Sequence, residues 1–178
     1  MKYFAYGSNM LEERLKSPER VPGAVFQATG CVQGYRLRFH KRSTDGSGKC
    51  NIVKTDSARD VVYGVVFEVP DNQLEALDSA EGVGRGYHHD DYIPVRLADG
   101  TEMSMLAYVA DIDAIDDTLI PYVWYHRLVI AGAEQHRLPE EYIANLRRVP
   151  YSEDPDPKRP TKLEAEAVMK AYYSKLRT

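Results

Sequence analysis

The stretch that most constrains this chain is its first fifteen residues. Lys2-Tyr3-Phe4-Ala5-Tyr6 is a short apolar run of strand-forming residues that leads straight into Gly7-Ser8-Asn9-Met10. Leu11-Glu12-Glu13-Arg14-Leu15 then follows with helical character. A strand that stops at Gly-Ser-Asn and gives way at once to a helix has to turn sharply. Such a turn leaves successive backbone N–H groups unpaired and pointing one way. Helped by the positive end of a helix dipole, those donors form a cradle for a carboxylate, a phosphate or a developing oxyanion.

At 178 residues the chain is long enough for one domain with a real core. Its 43% hydrophobic and 28% charged content is ordinary for a globular protein. No apolar run approaches the roughly 20 residues that span a bilayer, and the N-terminus lacks a signal pattern, so no membrane partner is expected. A net charge of −4 argues against nucleic acid. Cys31 and Cys50 are too few and too isolated for a disulfide framework or a zinc site. A reduced, cytoplasmic protein is the expectation.

Two β-like runs, around 24–29 and 34–41, follow the turn at Pro22-Gly23, and the second alternates basic and apolar residues. Ser43 to Gly48 reads as a loop long enough to border a site. Residues 50–55 and 61–69 are expected to pair as strands, the second buried on both faces. Pro70-Asp71 opens a short helix with Asp71 as N-cap and Leu74 and Leu77 facing inward. Residues 87–97 and 101–110 form a hairpin across Asp99-Gly100. Helices are expected from about 122 to 134 and from 139 to 148, each opened by a proline. Four prolines between Pro150 and Pro160 predict a stiff linker. Thr161-Lys162-Leu163-Glu164 then has the capping-box pattern of a final amphipathic helix, with Ala165, Val168, Met169, Tyr172 and Leu176 on its apolar face. The division is thus a domain over 1–149, a linker over 150–160 and a helix over 161–178. That helix packs on its own domain or on a second subunit. The order of elements points to an α+β fold with a largely antiparallel sheet or small barrel.

Among residues that could carry chemistry, Glu81 stands out. It follows the apolar helix and precedes Gly82, Gly84 and Gly86, which supply no side chains and let a backbone or ligand come close. Taken alone it could equally be a solvated acid at a helix end. Ser8 lacks the second flanking glycine of a G-x-S-x-G elbow, and a Ser-Asn pair ahead of a helix reads as an N-cap. His88-His89-Asp90-Asp91 looks metal-like, but neighbours on a strand point to opposite faces, so no metal is assigned. His126 and His136 have no obvious third ligand. Tyr125 lies on a helical stripe with Leu128, Val129 and Gly132, where a buried hydroxyl needs a partner. The basic run from Arg36 to Arg42 reads as an exposed strand edge.

Tyr6-Gly7-Ser8-Asn9-Met10, together with Glu81-Gly82-Val83 and Gly86-Tyr87, resembles the γ-glutamylcyclotransferase family. The resemblance continues in Tyr63-Gly64-Val65-Val66-Phe67, in Leu77-Asp78, from Tyr125 to Gly132-Ala133 and in Leu138-Pro139-Glu140-Glu141-Tyr142. It spans roughly residues 2 to 148, with Met10 in place of the usual leucine. It implies a small mixed, largely antiparallel β-barrel with flanking helices, often a homodimer. It also implies cofactor-free release of 5-oxoproline from a γ-glutamyl compound. Carried across, Glu81 is the general acid/base, Tyr6, Gly7, Ser8, Asn9 and Met10 form the substrate-binding loop, and Tyr125 matches a pocket tyrosine. Two alternatives stand beside this reading: a non-catalytic binding module on the same fold, and an amide hydrolase using Ser8 with a histidine.

Overall fold

The computed structural model describes residues 1–177, so that Thr178, the last residue of the expected final helix, lies outside them. Five strands close into a barrel in the order β1-β5-β2-β6-β7. These are β1 (Lys2–Ala5), β2 (Val25–Gln33), β5 (Val61–Glu68), β6 (Tyr87–Leu97) and β7 (Glu102–Ala110). β1 is antiparallel to β5, from Lys2 opposite Glu68 to Ala5 opposite Val65. It closes the barrel by running parallel to β7 at Tyr3 and Leu106. The other pairs of the barrel are antiparallel, which is the mixed, largely antiparallel architecture the sequence implies. Phe4, Val62, Val65, Phe67, Val95 and Ala107 line a core from which water is excluded. β6 and β7 form the hairpin expected across Asp99-Gly100.

The expected pairing of residues 50–55 with 61–69 does not occur. β4 (Gly48–Lys54) instead pairs with β3 (Tyr35–Arg42) in a separate two-stranded sheet, while β5 lies between β1 and β2. The valine-rich β5 is buried on both faces because it is an interior barrel strand; β4 follows the partner to which its short loop connects it. The basic run on β3 is only partly an exposed edge. Arg36, Arg38 and Arg42 face solvent, whereas His40 and Lys41 are buried, His40 between Asn51 and Asp117 and Lys41 against Tyr87.

Among the described residues five α-helices flank the barrel: α1 (Glu12–Leu15), α2 (Leu74–Glu81), α3 (Val123–Gln135), α4 (Glu140–Arg147) and α5 (Pro160–Lys175). Asp71 does not cap α2; it opens a single 3-10 turn, is exposed and makes no side-chain capping bond. α3 presses directly on the N-terminal turn, for a Cβ on Gly132 would sit 2.6 Å from the Leu11 nitrogen and from the Met10 Cβ. α5 packs back against α1 and α3 through Ala165, Val168 and Tyr172, while Leu176 is 64% exposed and not part of the buried face. Before it, Asp154 is buried and takes hydrogen bonds from Trp124 and Arg159, and Ser152 bridges to Tyr122, which ties residues 150–160 to α3. No helix among the described residues is long and apolar enough to cross a membrane.

Candidate active site

The N-terminal turn and the end of α2 meet, although 72 residues separate them in the chain: the Asn9 amide Nδ2 donates to Glu81 Oε1 at 2.6 Å. The turn is a single 3-10 turn over Ser8–Met10, and its first internal bond runs from Met10 N–H to Gly7 O at 3.0 Å. The amides ahead of it, at Ser8 and Asn9, therefore have no partner within the turn. Glu81 is the last residue of α2. Gly82 follows in the left-handed region at φ 76°, and the N–H groups of Gly82 and Val83 both return to Asp78 O. A residue with a Cβ would be strained there, so the glycine fixes where the helix stops and where the carboxylate points.

Between turn and helix lies a hollow with about 300 Å³ of empty space, counting its mouth. Gly7, Ser8, Asn9, Glu81 and Cys50 form part of its wall, and five tyrosines, Tyr3, Tyr6, Tyr87, Tyr108 and Tyr125, form most of the rest. Four of the five hydroxyls are anchored to distant elements. Tyr6 donates to Tyr108 O, Tyr87 donates to Cys50 O, and Tyr108 donates to Asp78 at 2.6 Å. Tyr125 on α3 accepts from the Cys50 N–H at 3.1 Å, and its hydroxyl also lies beside the Cys50 thiol. Burial holds these phenols well above their ordinary pKa, so they act as neutral donors.

Burial also pushes the Glu81 carboxyl up from its usual range, against the pull of Arg20, Arg14, the Asn9 amide and Lys41. The residue as a whole keeps some exposure, but its carboxyl end is enclosed. Its position at a helix C-terminus adds to the cost of ionising it. Asn9 donates through Nδ2 also to Tyr3 Oη at 3.3 Å, while its Oδ1 is buried without a partner. A polar site with an unused acceptor beside a carboxyl raised toward neutrality suits a cationic amine as guest.

The structure brings Tyr6, Gly7, Ser8, Asn9, Tyr125 and Glu81 together and leaves Met10 out. Met10 is fully buried beneath the turn against Gly132, so it is a core residue. Ser8 does not cap a helix, for its Oγ accepts from Arg14 Nε at 3.1 Å and no side-chain capping bond forms. That geometry gives the hydroxyl a cation and no base, which leaves it a poor nucleophile. Cys50 is no better, since burial raises its thiol to about 12. His88 and His89 diverge to Asp111 and Asp78, and His126 is bonded to Leu146 O. Sequence reasoning missed Tyr3, Tyr87 and Tyr108. The signal was compositional: 13 tyrosines against 4 phenylalanines leave several hydroxyls to be satisfied inside the fold, although Tyr92, Tyr151 and Tyr173 are exposed.

The chain is similar in sequence and in fold to known proteins. Residues 61–146 match the model of the AIG2-like family. The chain is 31% identical over 152 residues to γ-glutamylcyclotransferase of Bos taurus, covering 83% of this chain and 77% of that protein. It is 30% identical over 151 residues to γ-glutamylcyclotransferase of Homo sapiens, with the same coverage of 83% and 77%. A solved structure of a γ-glutamyl cyclotransferase superposes with a TM-score of 0.81 at 27% identity, covering 96% of this chain and 98% of that one. At 31% identity over 83% of its length, the chain belongs to the γ-glutamylcyclotransferase family.

Proposed function

We propose that the protein releases 5-oxoproline from a γ-glutamyl peptide or amine, with Glu81 as the general acid/base. The observation that carries this reading is the enclosed Glu81 carboxyl, hydrogen-bonded by Asn9 in the wall of the tyrosine-lined hollow. The substrate's α-amine attacks its own γ-carbonyl, forming the ring C–N bond and displacing the leaving amine. No enzyme nucleophile is needed. Glu81 takes a proton from the α-ammonium and delivers one to the departing nitrogen. A single carboxyl does both when its pKa lies nearer neutrality than the ordinary 4.3 or so.

Orientation supplies much of the rate, because a correctly folded intramolecular attack is worth about 7–11 kcal/mol. The N–H groups at Gly7–Asn9 grip the substrate carboxylate or the oxyanion, and the Tyr125 hydroxyl closes the far wall. The hollow is small and open at its mouth, so the leaving group extends toward the mouth. Incubation of the protein with a panel of γ-glutamyl amino acids and γ-glutamyl amines, read by mass spectrometry, tests the reading. Release of 5-oxoproline is the expected result. Free glutamate, or no product from any member, would refute it.

A further inference from the structure

The last helix was expected to carry its own cap, with Glu164 reaching back to Thr161. It does not. Arg159 occupies the N-cap position, Pro160 opens α5, and no side-chain capping bond forms. Glu164 instead points the other way, at two guanidinium groups far back in the chain. Its Oε1 lies 3.4 Å from Arg14 Nη1 and 3.3 Å from Arg20 Nε. Both arginine side chains are nearly buried, at 8% and 12% exposure, and Arg14 spends its Nε on the Ser8 hydroxyl of the substrate turn. A buried pair of like charges needs an anion near it, and this oxygen serves both.

We propose that Glu164 is a positioning residue of the active site, holding Arg14 and Arg20 together behind the turn and offsetting part of their charge. In that role it keeps Ser8 in place and shields Glu81 from the two positive charges. The inference rests on Glu81 being the proton carrier proposed above. The charged groups that face Glu81 are Arg14 and Arg20 from the segment between β1 and β2, and Lys41 from β3; Asn9 bonds it directly. The five cavity tyrosines and Cys50 also face it, and burial keeps all six protonated. Glu164 and Glu81 are both carboxylates whose fields reach Arg14, and burial brings that guanidinium down to about 10. Take Glu164 away, and Glu81 becomes the anion left to balance the arginines. Its carboxylate is then stabilised and becomes a weaker base.

The test compares wild type with Glu164→Gln and Glu164→Asp. The Glu81 carboxyl is titrated by NMR of 13C-labelled glutamate, assigned through Glu81→Gln, and kcat and KM for a γ-glutamyl dipeptide are followed against pH. In Glu164→Gln the Glu81 midpoint should fall by about half a unit or more. The acid limb of kcat/KM should move down with it, KM should rise several-fold, and Glu164→Asp should restore both. Lys175→Gln, which loosens the same helix at its contact with Glu13, should leave the midpoint where it is. An unmoved midpoint in a folded Glu164→Gln overturns the inference, as does an equal shift in Lys175→Gln. The NMR titration needs no turnover, so an inactive wild type would refute the proposed reaction while this measurement still decides the role of Glu164.

Discussion

Glu81 and Asp154 are both enclosed carboxylates, and their surroundings push them in opposite directions. Asp154 takes hydrogen bonds from Trp124 Nε1 at 2.9 Å, from Arg159 at 2.7 Å and 3.1 Å, and from the Asp156 N–H at 2.9 Å. These partners bring its pKa down to about 2 against the opposing effect of burial. Glu81 takes one short bond, from Asn9, and burial outweighs its more distant cations. The first carboxylate is satisfied and charged at neutral pH, so it fastens the segment before α5 to α3. The second is under-satisfied and harder to ionise than an ordinary glutamate, beside a hollow. A buried acid with all its partners holds a fold together; one left short of partners is poised to exchange protons.

The largest expected effects separate these two roles. Glu81→Gln should lower kcat by on the order of 10³-fold or more while the protein stays folded, read by 5-oxoproline release beside circular dichroism. Asp154→Ala should do the reverse. Leaving the Trp124 N–H and the Arg159 guanidinium unpaired should cost about 2–4 kcal/mol in denaturant unfolding with little change in kcat below the melting point. If Asp154→Ala were the catalytically dead variant and Glu81→Gln the unstable one, the comparison would collapse.

The dependence of stability on pH sharpens it further. Asp154 has a depressed pKa, so its contribution is fully present above the ordinary aspartate value and is lost as pH falls toward 2. Glu81 has a raised pKa, so ionising it in the fold costs stability once pH rises above the ordinary glutamate value. At neutral pH Glu81→Gln should therefore melt at or slightly above the wild-type temperature. A lower melting temperature would show that the carboxylate is structural. A smaller effect is expected at Tyr125→Phe, which removes the hydroxyl bonded to Cys50 N–H and should reduce kcat/KM about tenfold. The smallest is Ser8→Ala, which should raise KM a few-fold and leave kcat measurable, since Ser8 Oγ serves only to seat Arg14. Complete loss of the chemical step in that variant would restore a serine nucleophile.

What the sequence revealed follows a physical divide. The strand, the turn at Gly7–Asn9, the helix end at Glu81-Gly82 and the hairpin from Tyr87 to Ala110 are set by neighbours in the chain, and all were legible there. The short loop between them pairs β4 with β3, but which strands flank β5 depends on closure of the barrel, which no local pattern encodes. Lys41 looked like surface because a lysine on an alternating strand usually is. Its burial comes from Tyr87, whose ring centroid lies 4.6 Å from the ammonium nitrogen, and from Arg85 O, far along the chain. Glu164 looked like a capping residue because the local motif was complete. The helix starts at Pro160, so Thr161 is not at its N-cap, and Glu164 faces two buried arginines instead.

The most direct measurement is the pH profile of kcat/KM for 5-oxoproline release, run for wild type and Glu81→Gln in one buffer series. The expected result is an acid limb in the wild type with its midpoint above the ordinary glutamate range, and residual activity without that limb in the variant. A folded Glu81→Gln that keeps the same limb at a comparable rate would contradict the role of this carboxyl as the proton carrier.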